Sequence, residues 1–472
     1  MAGRILQLRW PWALMALLAV GFWASTFVEL RTGIAAVDPR PVGGVAEIEA
    51  LRERDDLNLL FILVDTLRAD RLGVLGYPRD TSPRIDRLAQ GGVLFEQVLA
   101  QSSWTKSSMA SLWTGLYPSH TGVTRFDHLV PDEALMPAEI LSEAGFRCVG
   151  LFRNGWVSAY FGFGQGFEVY EKPLPSRIPN NERSANPTLE SGGSDIDVVD
   201  TATAFLELRG EERWFLYLHL MDVHEYLYDE ETALFGTQNS DIYDNALRRE
   251  DDVLALLLKR LEESGEAERT IVVFASDHGE AFGERGWEGH ARHVLPESTG
   301  VPLIISFPFR LDPGIVVRDR VANVDVWPTV LDLLGLPPLP NVDGRSLLPE
   351  ILAAAQTGRP ESEARNLYAH LDQNWGQPGS KVSPAVSIAR GSLRYVRGKN
   401  VLGQRIEELF DIASDPYEQI NLLSERPEVA TEFRSEADSY LARSERWEGG
   451  APQVEVDEMQ LNQLRALGYS LP

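Results

Sequence analysis

A single cysteine, Cys148, stands among 472 residues. That excludes an internal disulfide and any metal cluster built from cysteines. The thiol lies in the apolar-flanked stretch Phe146-Arg-Cys-Val-Gly150 and reads as buried and inert, because no activating partner adjoins it. Positive charge is also in short supply: 44 Lys and Arg face 70 Asp and Glu, a formal charge of −26. Such a surface repels phosphate backbones, which argues against binding along a nucleic acid. The acidity is spread out rather than gathered in a tail, so it reads as a solvated surface. A bound cation could still hold an anionic substrate locally. Short-period repeats are absent. With 44% apolar and 24% charged residues, the chain has material for one large core and a smaller one.

Charged residues are missing from Trp10 to Val28, and Arg4 and Arg9 precede that run. Its length suits a helix crossing ~30 Å of hydrocarbon. Trp10, Trp12 and Trp23 suit the interfacial zones, and the arginines favour an inside N-terminus. Residues 1–29 therefore read as a transmembrane anchor, with the rest of the chain outside the cytoplasm, periplasmic or extracellular. A cleaved signal is the rival reading, although no clean Ala-x-Ala site follows the run.

Residues 30–56 read as a linker with Pro39, Pro41 and Gly43-Gly44. From Leu57 the pattern changes. Asn58-Leu-Leu-Phe-Ile-Leu-Val64 is an unbroken apolar run, as expected of a strand buried on both faces. Phe146–Phe152, Trp214–Leu220, Thr270–Ser276 and Val301–Ser306 read the same way. Helices are expected at Ile85–Gly91, Asp195–Leu208 and Asp241–Gly265. Strands alternating with helices imply an α/β fold with a large, mostly parallel sheet sandwiched by helices. That domain is expected over 57–349, with a surface insertion at 173–194. Residues 350–472 read as a smaller C-terminal α+β subdomain and tail, with strands near 385–390, 393–396 and 408–411 and a helix near 425–445.

Ligands of parallel α/β sheets bind beyond the carboxyl ends of strands. Asp65 ends one run here, Asp277-His278-Gly279-Glu280 follows another, and His219, Asp222 and His224 lie at a third. A lone Asp after a strand is usually a turn or cap residue. Three such ends with carboxylates and imidazoles point to a shared divalent cation. Ser102-Ser-Trp-Thr-Lys-Ser-Ser-Met-Ala-Ser-Leu-Trp-Thr-Gly115 gathers hydroxyls ahead of a helical run, where free N–H groups and the helix dipole favour an anion.

Together these segments resemble the sulfatase family of the alkaline-phosphatase-like metallohydrolases. Asn58 to Gly73 is similar to the family's opening strand and first metal ligand, which falls on Asp65. Thr105-Lys-Ser-Ser-Met-Ala-Ser-Leu-Trp-Thr-Gly115 is similar to Cys-x-Pro-Ser-Arg…Leu-Thr-Gly, with Thr105 at the position of the cysteine that sulfatases oxidise to formylglycine. His219 to His224, Ser276 to Glu280 and Gly289-His290 fit later blocks. Glu408 to Leu422 and Leu464 to Tyr469 resemble the C-terminal signatures. The resemblance implies one divalent cation (Mn, Zn, Mg or Ca) held by Asp65, Thr105, Asp277 and His278. It also implies catalytic roles for Thr105, His224 and His290, and a substrate contact at Asn154.

The departures bear on chemistry. Threonine cannot become an aldehyde hydrate, the signature proline is Ser107, its arginine is Met109, and Thr66 replaces a second aspartate. Ser108 lies too close to Gly115 to serve as nucleophile. The expected activity is hydrolysis of phosphate or sulfate esters through a covalent Thr105 intermediate. The alternative is a membrane-anchored phosphotransferase moving a headgroup to an envelope glycan or lipid. An anionic ester is the expected partner; protein partners are not specified by the sequence.

Overall fold

The large sheet has eight strands, and its central ones carry the acidic ends. In chain order these are β1 (Asn58–Val64), β2 (Val93–Leu99), β3 (Arg147–Phe152) and β4 (Val169–Glu171), then β5 (Trp214–Leu220), β6 (Thr270–Ala275), β7 (Gly300–Ser306) and β8 (Ile315–Ala322). Across the sheet they run β8-β2-β7-β6-β1-β5-β3-β4. Every neighbouring pair is parallel except those made by β7, which lies antiparallel to β2 and β6. The sheet is therefore mixed, with one reversed strand. The computed structural model describes residues 38–173, 193–208, 212–357, 364–374 and 380–455. Residues from Arg40 onward form one compact unit.

All seven residues of β1 are buried, and the alternation of the pleat splits them between two cores. Leu59, Phe61 and Leu63 join one core with Met109, Leu112 and Trp113 of α2 (Thr105–Thr114) and Trp327 of α6 (Val326–Leu333). Leu60, Ile62 and Val64 join the other, with Ile85 of α1 (Pro83–Gln90), Val198 of α4 (Asp195–Leu208) and Leu254 of α5 (Asn239–Glu263). Helix α3 (Pro137–Glu143) adds Ile140 to the first core. Ring packing fixes α2 over the sheet. Trp113 stacks on Trp327 and meets Tyr217 edge-on, each at a 5.0 Å centroid distance. Contacts of that kind add about 0.5–1.5 kcal/mol each beyond area burial.

A four-stranded antiparallel meander follows α7 (Leu348–Thr357). Its strands are β9 (Leu367–Asp372), β10 (Pro384–Arg390), β11 (Leu393–Lys399) and β12 (Arg405–Asp411), in sequence order. Helix α8 (Pro427–Leu441) covers it, with Phe433 stacked on Tyr395. Its apolar face belongs to the same contiguous core as α2, so the expected smaller core is continuous with the large one.

The apolar run 10–28, most of the insertion at 173–194 and the motif at 464–469 lie outside the described residues. Among the described residues no helix is long and apolar enough to cross a membrane. Cys148 is buried as expected, and burial pushes its thiol up to about 12, far from a reactive thiolate.

Candidate active site

The pleat that alternates β1 continues past its end. Asp65 follows Leu59, Phe61 and Leu63 on the face covered by α2. Asp277 follows Ile271, Val273 and Ala275, and His219 follows Phe215 and Tyr217, on that same face. Thr105 opens α2, where the first N–H groups have no partner within the helix. Four distant segments thus deliver their polar side chains to one place.

Asp65, Asp277 and His278 offer ligand atoms that all lie within 4.8 Å of one another, and all three residues are fully buried. Each is oriented from behind. Asp65 Oδ2 accepts from Asn154 Nδ2 at 2.7 Å and lies 3.0 Å from His219 Nε2. The Tyr217 hydroxyl, 2.8 Å from His219 Nδ1, donates there and leaves the imidazole proton on Nε2 for Asp65. Asp277 Oδ1 accepts from the N–H of His278 at 2.9 Å and of Thr66 at 3.4 Å. Thr66 reaches that bond in a left-handed turn, at φ 60°. His278 Nδ1 donates to Gly279 O at 3.0 Å, so its Nε2 is the bare nitrogen and faces inward. Gly279 is required for close approach, because a Cβ there would lie 2.2 Å from Glu297 O.

Three lone-pair donors therefore converge. Asp65 Oδ1 and Asp277 Oδ2 are buried with no hydrogen-bond partner. His278 Nε2 sits 3.7 Å from the first and 3.3 Å from the second. Burial and the nearby His290 push His278 down to about 3, so it is neutral and cannot act as the missing cation. Burial and the Asp65 charge push Asp277 well above the usual carboxylate range. Burial also opposes ionisation of Asp65, but the His219 hydrogen bond and the neighbouring imidazoles more than offset it and hold that carboxyl low. Among the described residues no Lys or Arg pairs with either acid. Two carboxylates and a neutral imidazole aimed at one point, without a counter-charge, are a donor set that fits a divalent cation.

Thr105 Oγ1 stands at the rim of this trio, 3.0 Å from His278 Nε2 and 3.3 Å from Asn154 Nδ2. The neighbouring Lys106 turns away, donating to Phe126 O at 2.7 Å with its ammonium 3.6 Å from the Phe161 ring centre. Ser108 also points elsewhere, donating to Asp277 O at 2.6 Å. His290 stacks against His278 at 4.6 Å between ring centres, and His224 lies 5.1 Å from His290. Burial works against the His290 imidazolium, but Glu280 at 3.2 Å more than offsets it and raises its pKa. Burial lowers that of His224. One imidazole is thus tuned toward the charged form and the other toward the neutral form.

The residues to which the sequence gives a role, namely Asp65, Thr105, Asn154, His224, Asp277, His278 and His290, meet at this one site, whereas Asp222, put forward with them at a strand end, pairs with Arg153 and Arg249 instead. His219 and Glu280 stood in quoted segments without an assigned role. Alternation along β5 puts His219 on the α2 face with Tyr217, a signal that was present in the sequence. Arg153 had no such signal. Its guanidinium is buried one residue before Asn154 and bonds Asp195 at 2.8 Å, Asp222 at 2.5 Å and Glu225 at 2.5 Å.

Comparison with known proteins gives a family model described as Sulfatase that matches residues 57–336. A second, described as N-sulphoglucosamine sulphohydrolase, C-terminal, matches residues 283–442. The chain is 28% identical over 436 residues to an ulvan-active sulfatase of Formosa agariphila, covering 84% of this chain and 82% of that protein. It is 25% identical over 425 residues to human N-acetylgalactosamine-6-sulfatase, covering 77% and 81%. The fold is similar to that of a phosphonate monoester hydrolase of Agrobacterium radiobacter, with a TM-score of 0.63, 19% identity and coverage of 84% of this chain and 100% of that one.

Proposed function

The chain belongs to the sulfatase family and is a hydrolase of ester bonds, and on that premise we propose that it cleaves phosphate or sulfate esters through a covalent ester on Thr105. The observation that carries this reading is the Thr105 hydroxyl, buried at a helix N-terminus and 3.0 Å from the bare nitrogen of a three-donor cluster. Asp65, Asp277 and His278 would hold one divalent cation, with Thr105 Oγ1 beside it. Such an ion, when bound, lowers the pKa of a neighbouring hydroxyl and withdraws charge from an ester oxygen.

The remaining steps belong to this chain's own groups. Asn154 Nδ2 donates to Thr105 Oγ1 and Asp65 Oδ2, which orients the hydroxyl and favours its deprotonated form. The oxygen then attacks phosphorus or sulfur, forming the Thr105 ester as the leaving oxygen departs. The positive end of the α2 dipole, at its N-terminus, favours the developing negative charge. His290, held toward its charged form by Glu280, gives the leaving oxygen its proton. It can then take a proton from the water that cleaves the Thr105 ester. His224 stays neutral beside it and accepts a hydrogen bond from substrate or water.

Threonine lacks the route by which a formylglycine hydrate expels sulfate, and this favours phospho-esters over sulfate esters. The named relatives are sulfatases and the structural neighbour a phosphonate monoester hydrolase, so both groups belong in the assay. Transfer to an envelope glycan or lipid is not favoured beside relatives that hydrolyse. The apolar run 10–28, preceded by Arg4 and Arg9, supports an anchored chain with its catalytic unit outside the cytoplasm. A reporter fused after residue 472 and active only outside the cytoplasm would support that topology; activity only inside would refute it.

The test is a panel of aryl phosphate monoesters, diesters and sulfates, run on the full chain with metal content measured on the same sample. Turnover of at least one ester is expected, with a trapped phosphate or sulfate on Thr105 detected by mass spectrometry. An unchanged rate in Thr105→Ala would remove threonine as the nucleophile.

A further inference from the structure

We propose that an arginine cleft on the outer edge of the large sheet binds a sulfate or phosphate group at a place separate from ester cleavage. The proposal goes beyond the reading above and does not depend on Thr105 chemistry. Edge strand β8 carries Arg318 and Arg320, and the cleft they open has a volume of ≈ 200 Å³. Arg345 and Arg365 complete its wall, and among the described residues Asp319 is the one carboxylate lining it. Four guanidiniums lining one cleft stand out in a chain whose net charge is −26.

The pairing of these arginines is uneven, and among the described residues Arg320 is left without an acid. Arg345 is held by Glu350 at 2.6 Å, and Arg365 pairs with Asp325. Arg318 has only Glu96, at 4.0 Å. Arg320 donates to the Gln97 amide oxygen and has no carboxylate within ion-pair distance among the described residues. The Nε–H groups of Arg320 and Arg365 are buried donors without partners. Burial, and then the nearby Arg394, push Arg320 down to about 10, against a smaller opposing pull from Glu418.

A half-buried guanidinium whose Nε–H donor is buried without a partner is costly until an acceptor arrives. An oxyanion is a suitable acceptor, since guanidinium forks match the paired oxygens of sulfate and phosphate. Strand β8 lies three strands from β6, roughly 14 Å at ordinary strand spacing. Asp277 and His278 follow β6, so the cleft and the candidate active site are separate places on one sheet, and a polyanionic chain long enough to reach both could place one group in each.

Calorimetric titration of the full chain with inorganic sulfate, inorganic phosphate and a sulfated dextran tests this. Saturable binding is expected, weakened about tenfold in both Arg320→Gln and Arg318→Gln and unaffected by Thr105→Ala. The Arg318 side chain is 56% exposed, so its loss does not threaten folding. Hydrolysis of a small aryl ester should be unchanged in both arginine variants. Tighter binding of the dextran than of the free ions would identify a polymer-borne group as the ligand; equal binding would identify the free ion. No saturable binding, or wild-type affinity in both arginine variants, would overturn the proposal while leaving the Thr105 reading intact.

Discussion

Two buried trios of ligand-type side chains invite comparison: Asp65, Asp277 and His278, and Asp195, Asp222 and Glu250. In each, the candidate ligand atoms lie within 4.8 Å of one another. The second trio has its cations built into the chain. Arg153 bonds Asp195 and Asp222, and Arg249 bonds Asp222 as well. Glu250 accepts no hydrogen bond, and burial with the charges of Asp195 and Asp222 pushes it well above the usual carboxylate range, so it keeps its proton. Among the described residues the first trio has no guanidinium or ammonium, and its imidazole is neutral. Ligand geometry alone therefore does not mark a metal site. What separates the two is whether the negative charge is already answered by covalently attached positive charge.

The largest expected effect breaks the comparison at the first trio. Asp277→Asn should abolish cation binding and lower ester turnover by about a thousandfold or more, read from initial rates with metal content measured. In the presence of a chelator, the same variant should unfold at the same or a higher urea concentration than wild type. Without the metal, burial and the Asp65 charge already disfavour the Asp277 carboxylate, so a neutral amide of the same shape costs the fold little. The second trio should behave in the opposite way. Arg153→Met strips a central cation from three carboxylates and should destabilise the fold by about 3–5 kcal/mol, with or without chelator. Because Arg153 precedes Asn154, activity should also fall in the fraction that remains folded. Equal urea midpoints for the chelated Asp277 and Arg153 variants would erase the distinction.

The smallest effect sharpens the comparison through pH. Glu250 holds a proton when folded and loses it above its ordinary value of 4.5 when unfolded. The folded chain then binds more protons, so stability falls as pH rises from that value toward the folded-state value. The slope approaches about 1.4 kcal/mol per pH unit for one group. Glu250→Gln should remove that slope, read as the urea midpoint at a series of pH values. A slope unchanged by the substitution would show that Glu250 is ionised.

Much of the first trio was legible in the sequence because parallel strands announce themselves as unbroken apolar runs, and their ends are where function gathers. Asp65 and Asp277-His278 could be placed from Asn58–Val64 and Thr270–Ala275 with little else. The helix bounds were equally legible: Asp195–Leu208 is observed as expected, and the helix expected at Asp241–Gly265 spans Asn239–Glu263. Strand β8 was not, because Ile315–Ala322 carries Arg318, Asp319 and Arg320 on an edge where polar residues face outward. The reversed direction of β7 was also hidden, since a buried apolar run has no polarity. Arg153 and the three acids it bonds come from α4 and from the segments that follow β3 and β5, and no local spacing joins them. Such pairings become visible only when the chain has folded.

The most direct measurement is a titration of the chelator-treated full chain with Mn²⁺, followed by electron paramagnetic resonance. One tightly bound ion per wild-type chain is expected, and none in Asp277→Asn, while Glu250→Gln still binds one. Undiminished binding in Asp277→Asn, or loss of the ion in Glu250→Gln alone, would contradict a cation held between Asp65, Asp277 and His278.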